Sequence, residues 1–294
     1  MTQTPNLVLT LVSQSGDAVR LAAGAPGSSG QAVDRSGNGW SVAERAVAGG
    51  PDLVGWLEAE APKLAADWAI TPATNRKKRL LISDMDSTII GQECLDELAD
   101  FAGLKAEVSA ITERAMRGEL DFASALTQRV AMLKGLALTA LAACHEQRVR
   151  LNPGARELVE TMKANGARCV LVSGGFGYFT SRVAKMAGFH ADRANTLIDD
   201  GAALTGAVAQ PILGREAKLT ALIEETTALG GTPDDAIAMG DGANDLDMIR
   251  AAGLGVAYKA KPIVAAETLA RIQHTDLRAA LFFQGYAVSE IIGG

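Results

Sequence analysis

The chain has 294 residues, 48% of them hydrophobic and 21% charged, with a formal net charge of −6 at neutral pH. That length bounds it to one or two domains with ample core material, and the acidic balance argues against a nucleic-acid partner. No stretch approaches the roughly eighteen apolar residues of a membrane span, and the N-terminus lacks a basic segment ahead of an apolar one, so the sequence predicts a cytoplasmic protein.

Residues 1–75 are the least informative. Leu7 to Val12 reads as a strand, Ala22 to Gly39 as a loop rich in Gly, Ser and Ala, and Asp52 to Ala66 as an amphipathic helix. Together they predict a small α+β module. Arg76-Lys77-Lys78-Arg79 follows a Pro/Thr/Asn linker and reads as a solvated lead-in to the next strand.

Leu80 to Ser83 is an apolar run of the kind buried on both faces of a parallel sheet. It delivers Asp84 and Asp86, then Ser87, Thr88 and Gly91. Ligands of open α/β sheets bind beyond the carboxyl ends of such strands. Two adjacent carboxylates raise each other's pKa unless a cation neutralises them, which points to a bound metal ion. From Gly91 to Asn152 the pattern is helical with no convincing strand, and Gly103, Gly118 and Gly135 mark turns.

Asn152-Pro153 predicts a helix start, with the cap at Asn152 and proline at the first helical position. Ala155, Leu158, Val159 and Met162 continue that helix to a stop at Asn165-Gly166. The strand Arg168 to Val172 then ends in Ser173-Gly174-Gly175, a hydroxyl with flexible amides suited to an anion. A helix from Tyr178 to Ala187 closes at Gly188, and Leu204 to Val208 suggests a small antiparallel pair. Lys218 begins an amphipathic stretch marked by Leu219, Leu222, Ile223 and Leu229. A lysine near a helix start opposes the macrodipole, so it is expected to serve a phosphate or Asp84. The strand Ala236 to Met239 ends in Gly240-Asp241-Gly242-Ala243-Asn244-Asp245. A helix from Leu246 to Ala252, a last strand from Gly255 to Tyr258 and a helix from Lys261-Pro262 complete the alternation. Such alternation predicts an α/β fold with a parallel sheet covered on both faces.

Four of these pieces, in this order, resemble the haloacid dehalogenase-type phosphatase family: Asp-x-Asp-x-Thr/Ser, a Ser after a strand, a Lys, and Gly-Asp-x-x-x-Asp. The resemblance spans roughly residues 78 to 260 and implies a Rossmann-like core over 76–294 with a helical cap inserted at about 92–149. Asp84-Met85-Asp86-Ser87-Thr88, Glu93, Arg129 and Ser173-Gly174-Gly175-Phe176 look like the subfamily that hydrolyses O-phospho-L-serine, the last step of L-serine biosynthesis. It implies Asp84 as nucleophile and Asp86 as general acid and base. The implied cofactor is Mg2+, held by Asp84, the Asp86 carbonyl and Asp241, with Asp245 as a further or second-sphere ligand. It implies Ser173, Gly174, Lys218 and Asn244 around the phosphoryl group, Glu93 on the substrate ammonium, Arg129 on its carboxylate, and Met116 and Phe122 as an apolar wall. For residues 1–75 two readings stand: a degenerate amino-acid-binding module of the ACT type, or a structural appendage or dimer contact, the latter in a homodimer. Rival functions are another small-molecule phosphatase, a phosphotransferase using the same donor, and a phospho-acceptor signalling module. The +2 aspartate and the cap argue against the last, because a signalling acceptor needs neither a general acid nor a lid.

Overall fold

The computed structural model describes residues 7–116 and 119–293. Its N-terminal unit runs β1 (Leu7–Ser13), α1 (Ala18–Ala23), β2 (Ser28–Asp34), β3 (Ser41–Val47), α2 (Pro51–Glu60) and β4 (Ala66–Pro72). The strands lie in the order β2-β3-β1-β4, and β1 runs antiparallel to both of its neighbours. This is the ferredoxin-like interleaving of two split β-α-β units. Leu9, Leu11, Leu53, Leu57 and Trp68 fill a core of their own between sheet and helices.

The expected loop over 22–39 is overturned. β2 lies inside it, largely exposed, and gains its shape from pairing with β3 rather than from any pattern of its own. The helix expected to reach Ala66 stops sooner. Pro62 tightens its last turn into a 3-10 segment, Ala61–Leu64, and Ala65 turns left-handed at φ 44 before β4 begins.

The remainder begins with β5 (Leu80–Ser83), whose residues alternate between faces. Leu80 and Ile82 pack in one core cluster and Leu81 in the other. Next come α3 (Cys94–Phe101), α4 (Lys105–Met116), α5 (Phe122–Met132) and α6 (Leu138–Arg148). These four helices form a layer over the strand tips. The chain leaves and rejoins the core at one place, where Ile90 bridges Leu151 and the Asn152 amide donates to the Ile89 carbonyl at 2.8 Å. Then follow α7 (Ala155–Ala164), β6 (Arg168–Phe176), α8 (Gly177–Ala187), β7 (Ala191–Asn195), β8 (Leu197–Asp199) and β9 (Leu204–Val208). The chain closes with α9 (Arg215–Ala228), β10 (Ala236–Gly240), α10 (Leu246–Ala251), β11 (Leu254–Tyr258), α11 (Pro262–Ala265), β12 (Ala270–Ile272) and α12 (Ala279–Phe283).

β7, β6, β5, β10, β11 and β12 form a parallel sheet in that order. Winding runs outward from β5 through β6 on one side and from β10 on the other, so the switch point, where ligands bind, lies between β5 and β10. β8 and β9 form the antiparallel pair. Three details differ from expectation. α7 starts at Ala155 behind a left-handed Gly154 with no side-chain cap, and the Asn152 side chain instead turns to donate its Nδ2 to the Thr88 carbonyl at 2.8 Å. β11 is followed by the short β12. α11 has only four residues. The turn expected at Gly118 lies outside the described residues. Among the described residues no helix is long and apolar enough to cross a membrane.

The two parts share one ten-stranded sheet, because β4 pairs antiparallel with β12. Arg76 and Lys78 of the basic run turn inward, whereas Lys77 and Arg79 stay exposed as the solvated lead-in expected. Arg76 donates to Glu44 at 2.6 Å, to Thr10 Oγ1 at 2.9 Å and to the Phe283 carbonyl at 3.2 Å. Lys78 Nζ donates to the Asp234 carbonyl at 2.8 Å, and Lys77 pairs with Glu290 at 2.7 Å. Asp67, buried in β4, accepts the backbone N–H groups of Gln273, His274 and Thr275 at 2.7, 3.0 and 2.8 Å, and also the Thr275 hydroxyl. Removing it strands the buried amide and hydroxyl of Thr275 and unpairs two more amides at the edge of the core, so Asp67→Ala should destabilise the whole chain by about 2–4 kcal/mol. Denaturant unfolding checks this, and a loss below about 0.5 kcal/mol, the size of an ordinary surface substitution, contradicts it.

Candidate active site

The chain turns sharply after β5. Asp84 is 5% exposed, and its own amide donates to the Met239 carbonyl of β10 at 2.9 Å, tying the two switch-point strands at their tips. Its Oδ1 accepts from the Met85 amide at 2.8 Å and from Lys218 Nζ at 2.7 Å. Its Oδ2 has no donor among the described residues. Ser87 adopts a left-handed φ of 55, which reverses the backbone within an irregular helical turn, Met85–Ile89. Asp86 Oδ1 accepts from the Cys94 amide at 2.9 Å, and Oδ2 pairs with Ser173 Oγ at 3.2 Å. Ser173 Oγ in turn accepts the Gly175 amide at 2.8 Å.

Lys218, in the first turns of α9, is 2% exposed and bridges Asp84 to Asp245 Oδ1, the latter at 2.6 Å. Asp245 is fully buried, and its Oδ2 accepts the Gly242 amide at 3.1 Å. Burial alone would strip the lysine of its proton, but the Asp245 and Asp84 charges outweigh it and hold the ammonium above its usual range. The acids face the opposite imbalance. Burial, then the Asp245 charge, pushes Asp84 well above the ordinary carboxylate range against the pull of Lys218. Burial also raises Asp86, opposed by the Cys94 and Ser173 hydrogen bonds. Asp241 is pushed up to about 6, by burial first and then by Asp245.

Carboxylate oxygens of Asp84, Asp241 and Asp245 all lie within 4.8 Å of one another. The donors are oxygens, and the nearby Cys94 thiol is held neutral by burial and by the Asp86 charge. Such a set fits a hard divalent cation. Asp245 already spends both oxygens on Lys218 and Gly242, whereas no other described residue donates to the Asp241 carboxylate. Asp84 and Asp241 are therefore the freer candidates for direct ligation, with Asp245 orienting Asp84 through Lys218.

These groups open into a cavity of about 560 Å³ that reaches the cap. Glu93, Phe122, Arg129, Ser173, Gly174 and Asn244 line it. Glu93 accepts the Ser87 hydroxyl at 2.7 Å, and burial, then the Asp86 charge, lifts its carboxyl to about 7. The Phe122 ring rests on Gly174, where a Cβ would stand 2.9 Å from Cζ, so only glycine fits beneath it. Met116 ends α4, and its side chain falls outside the described residues. Lys218 stands behind the cavity wall, gripping its acids from below. The cavity also takes in Asp96, Thr112 and Lys261, which the sequence did not single out. Asp96 lies three residues after Glu93, one helical turn on, and that spacing was a readable signal. Thr112 and Lys261 carried none.

A family model described as haloacid dehalogenase-like hydrolase matches residues 81–250. The phosphoserine phosphatase of Polaromonas sp. strain JS666 is 48% identical over 204 residues, covering 68% of this chain and 86% of its own length. The unliganded probable phosphoserine phosphatase of Vibrio cholerae superposes with a TM-score of 0.77 at 30% identity, covering 96% of this chain and 88% of its own. A substrate-bound phosphoserine phosphatase complex superposes at 0.66 with 36% identity, over 70% of this chain and 98% of its own.

The raised carboxyls give a stability signature. With Asp241 lifted to about 6 and Glu93 to about 7, the folded, metal-free chain retains protons that the unfolded chain has already released. Its stability should therefore fall as pH rises from about 4 to about 7. A divalent cation relieves that penalty at Asp241, so magnesium should raise the melting midpoint more at pH 8 than at pH 5. Melting scans with chelator and with magnesium at the two pH values check this, and equal gains contradict it.

Proposed function

The chain belongs to the haloacid dehalogenase-like hydrolase family, and we propose that it hydrolyses O-phospho-L-serine to L-serine and phosphate in a magnesium-dependent reaction. One observation carries this reading. A single cavity joins the acid pair Asp84 and Asp86 at its floor to a carboxylate, Glu93, and a guanidinium, Arg129, at its cap wall. Those two groups complement the ammonium and carboxylate that distinguish phosphoserine from a generic phosphomonoester, and a guanidinium forks readily onto a carboxylate.

Uncatalysed phosphate-monoester hydrolysis is slow enough to demand accelerations of up to ~10²¹-fold, supplied mostly by positioning and charge neutralisation. Asp84 Oδ2, free of donors, is the nucleophile that attacks phosphorus and forms an aspartyl-phosphate. The bonds from Met85 and Lys218 hold Oδ1 and so fix the direction of attack. Asp86 delivers its proton to the leaving serine oxygen and then takes one from the attacking water. Its raised pKa suits the first role, and its tie to Ser173 lets the hydroxyl proton reorient between steps. Ser173, Gly174 and Asn244 receive the non-bridging oxygens, with Lys218 contributing charge from behind. A magnesium ion held by Asp84, the Asp86 carbonyl and Asp241 would screen the phosphoryl charge and polarise phosphorus. Phe122 and the cap exclude bulk water. The three free, buried cysteines suit a reducing cytoplasm.

Asp84→Asn keeps the Oδ1 acceptor for Lys218 but lacks a competent nucleophile, so turnover should drop by roughly 10⁴-fold or more with the melting curve preserved; appreciable residual turnover removes Asp84 from this role. Arg129→Ala should cost about 1.5–3 kcal/mol in kcat/KM on phosphoserine and little on an aryl phosphate, which lacks the carboxylate. Equal losses on both make Arg129 structural. A panel of phosphomonoesters with magnesium and then with chelator tests the reaction as a whole: phosphate release favouring phosphoserine and abolished by chelation is expected, and metal-independent release contradicts it.

A further inference from the structure

Building on the reading that Arg129 receives the substrate carboxylate, we propose that Thr112 is the positioning residue that keeps this guanidinium available. Arg129 sits half-buried on α5 with two acids, Glu93 and Asp96, lining the same cavity. A guanidinium near buried carboxylates ordinarily pairs with one of them. Among the described residues, none stands within ion-pair distance of it.

What holds it instead is neutral. Its Nε donates to the Ala125 carbonyl one turn back on α5 at 3.2 Å, and its Nη1 donates to Thr112 Oγ1 on α4 at 3.4 Å. The Thr112 hydroxyl donates its own proton to the Val108 carbonyl at 3.2 Å, so only lone pairs face Arg129. The hydroxyl thus acts as a pure acceptor aimed by its helix. Two of the five guanidinium donors are used and three remain for a ligand. The tether spans two cap helices, so it fixes the fork relative to the cap as well as relative to its own helix. A neutral acceptor holds the group without cancelling its charge. An acid at the same place would compete with the substrate carboxylate, and no partner at all would let the side chain swing onto Asp96.

The test compares Thr112→Val, Thr112→Ala and Thr112→Ser in the full chain, on O-phospho-L-serine and on an aryl phosphate, alongside melting curves. Val and Ala both remove the acceptor, and Ala suits a helix, so at least one folded variant lacks it. The inference predicts that KM for phosphoserine rises about tenfold in both, the size of one hydrogen bond to a charged group. It also predicts that kcat changes by less than about twofold, that the aryl phosphate is unaffected and that Ser restores wild-type behaviour. An unchanged KM in Val or Ala overturns it. So do equal losses on both substrates, or a Ser variant as impaired as Val. Failure of the underlying reading looks different, because the unmutated protein would then show no preference for phosphoserine and Arg129→Ala would not discriminate between the substrates.

Discussion

One buried lysine between two buried aspartates is the contact on which the site depends. Lys218 reaches from α9 to Asp84 on the β5 tip and to Asp245 beyond the β10 tip, so a single ammonium spans the switch point of the sheet. Desolvation costs several kcal/mol per buried ion, and only close, well-bonded pairing repays it. Lys218 has that pairing. The acids collectively do not: Asp84, Asp86, Asp241 and Asp245 have among the described residues one buried cation, Lys218, with Lys261 acting on Asp241 from the cavity wall, and burial leaves three of them with raised pKa values. The deficit of positive charge is built into the backbone, since the Met85 and Gly242 amides anchor the carboxylates where they repel one another. A metal ion and an ammonium-bearing substrate are the species that such a site stabilises most.

The N-terminal unit bears on this geometry through the sheet. β4 covers the free edge of β12, Asp67 caps three successive amides after it, and Arg271 of β12 pairs with Glu58 at 2.7 Å while stacking on Trp68. Trp40 of the unit packs against Phe282 of α12 with ring centroids 5.1 Å apart. Buried side chains from both parts belong to one hydrophobic cluster. The unit is thus a structural continuation of the sheet that carries the site.

The catalytic floor was legible because each of its acids follows a short apolar run, and a buried parallel strand has few other ways to end in carboxylates. Leu80–Ser83 appears at its expected bounds, and Ala236–Met239 gains only Gly240. The helical stops at Asn165-Gly166 and Gly188 were equally plain, since both glycines take the left-handed backbone that ends a helix. Three of the strands that were missed have no internal signature. β2 is mostly solvated, β7 reads Ala-Asp-Arg-Ala-Asn, and β12 has three residues, so each exists through its neighbour. Side-chain commitments across distant segments were illegible for the same reason. Nothing local separates an Asn152 that caps a helix from one that binds the Thr88 carbonyl, or a Thr112 on a polar helix face from one that tethers Arg129.

The central claim is that Asp84 is transiently esterified during turnover. The most direct measurement is acid quenching of the magnesium-loaded protein under saturating radiolabelled O-phospho-L-serine, followed by peptide mapping of the label. The account predicts hydroxylamine-labile label on the peptide bearing Asp84. Label confined to Ser87 or Ser173, or turnover with no labelled protein at any quench time, contradicts it.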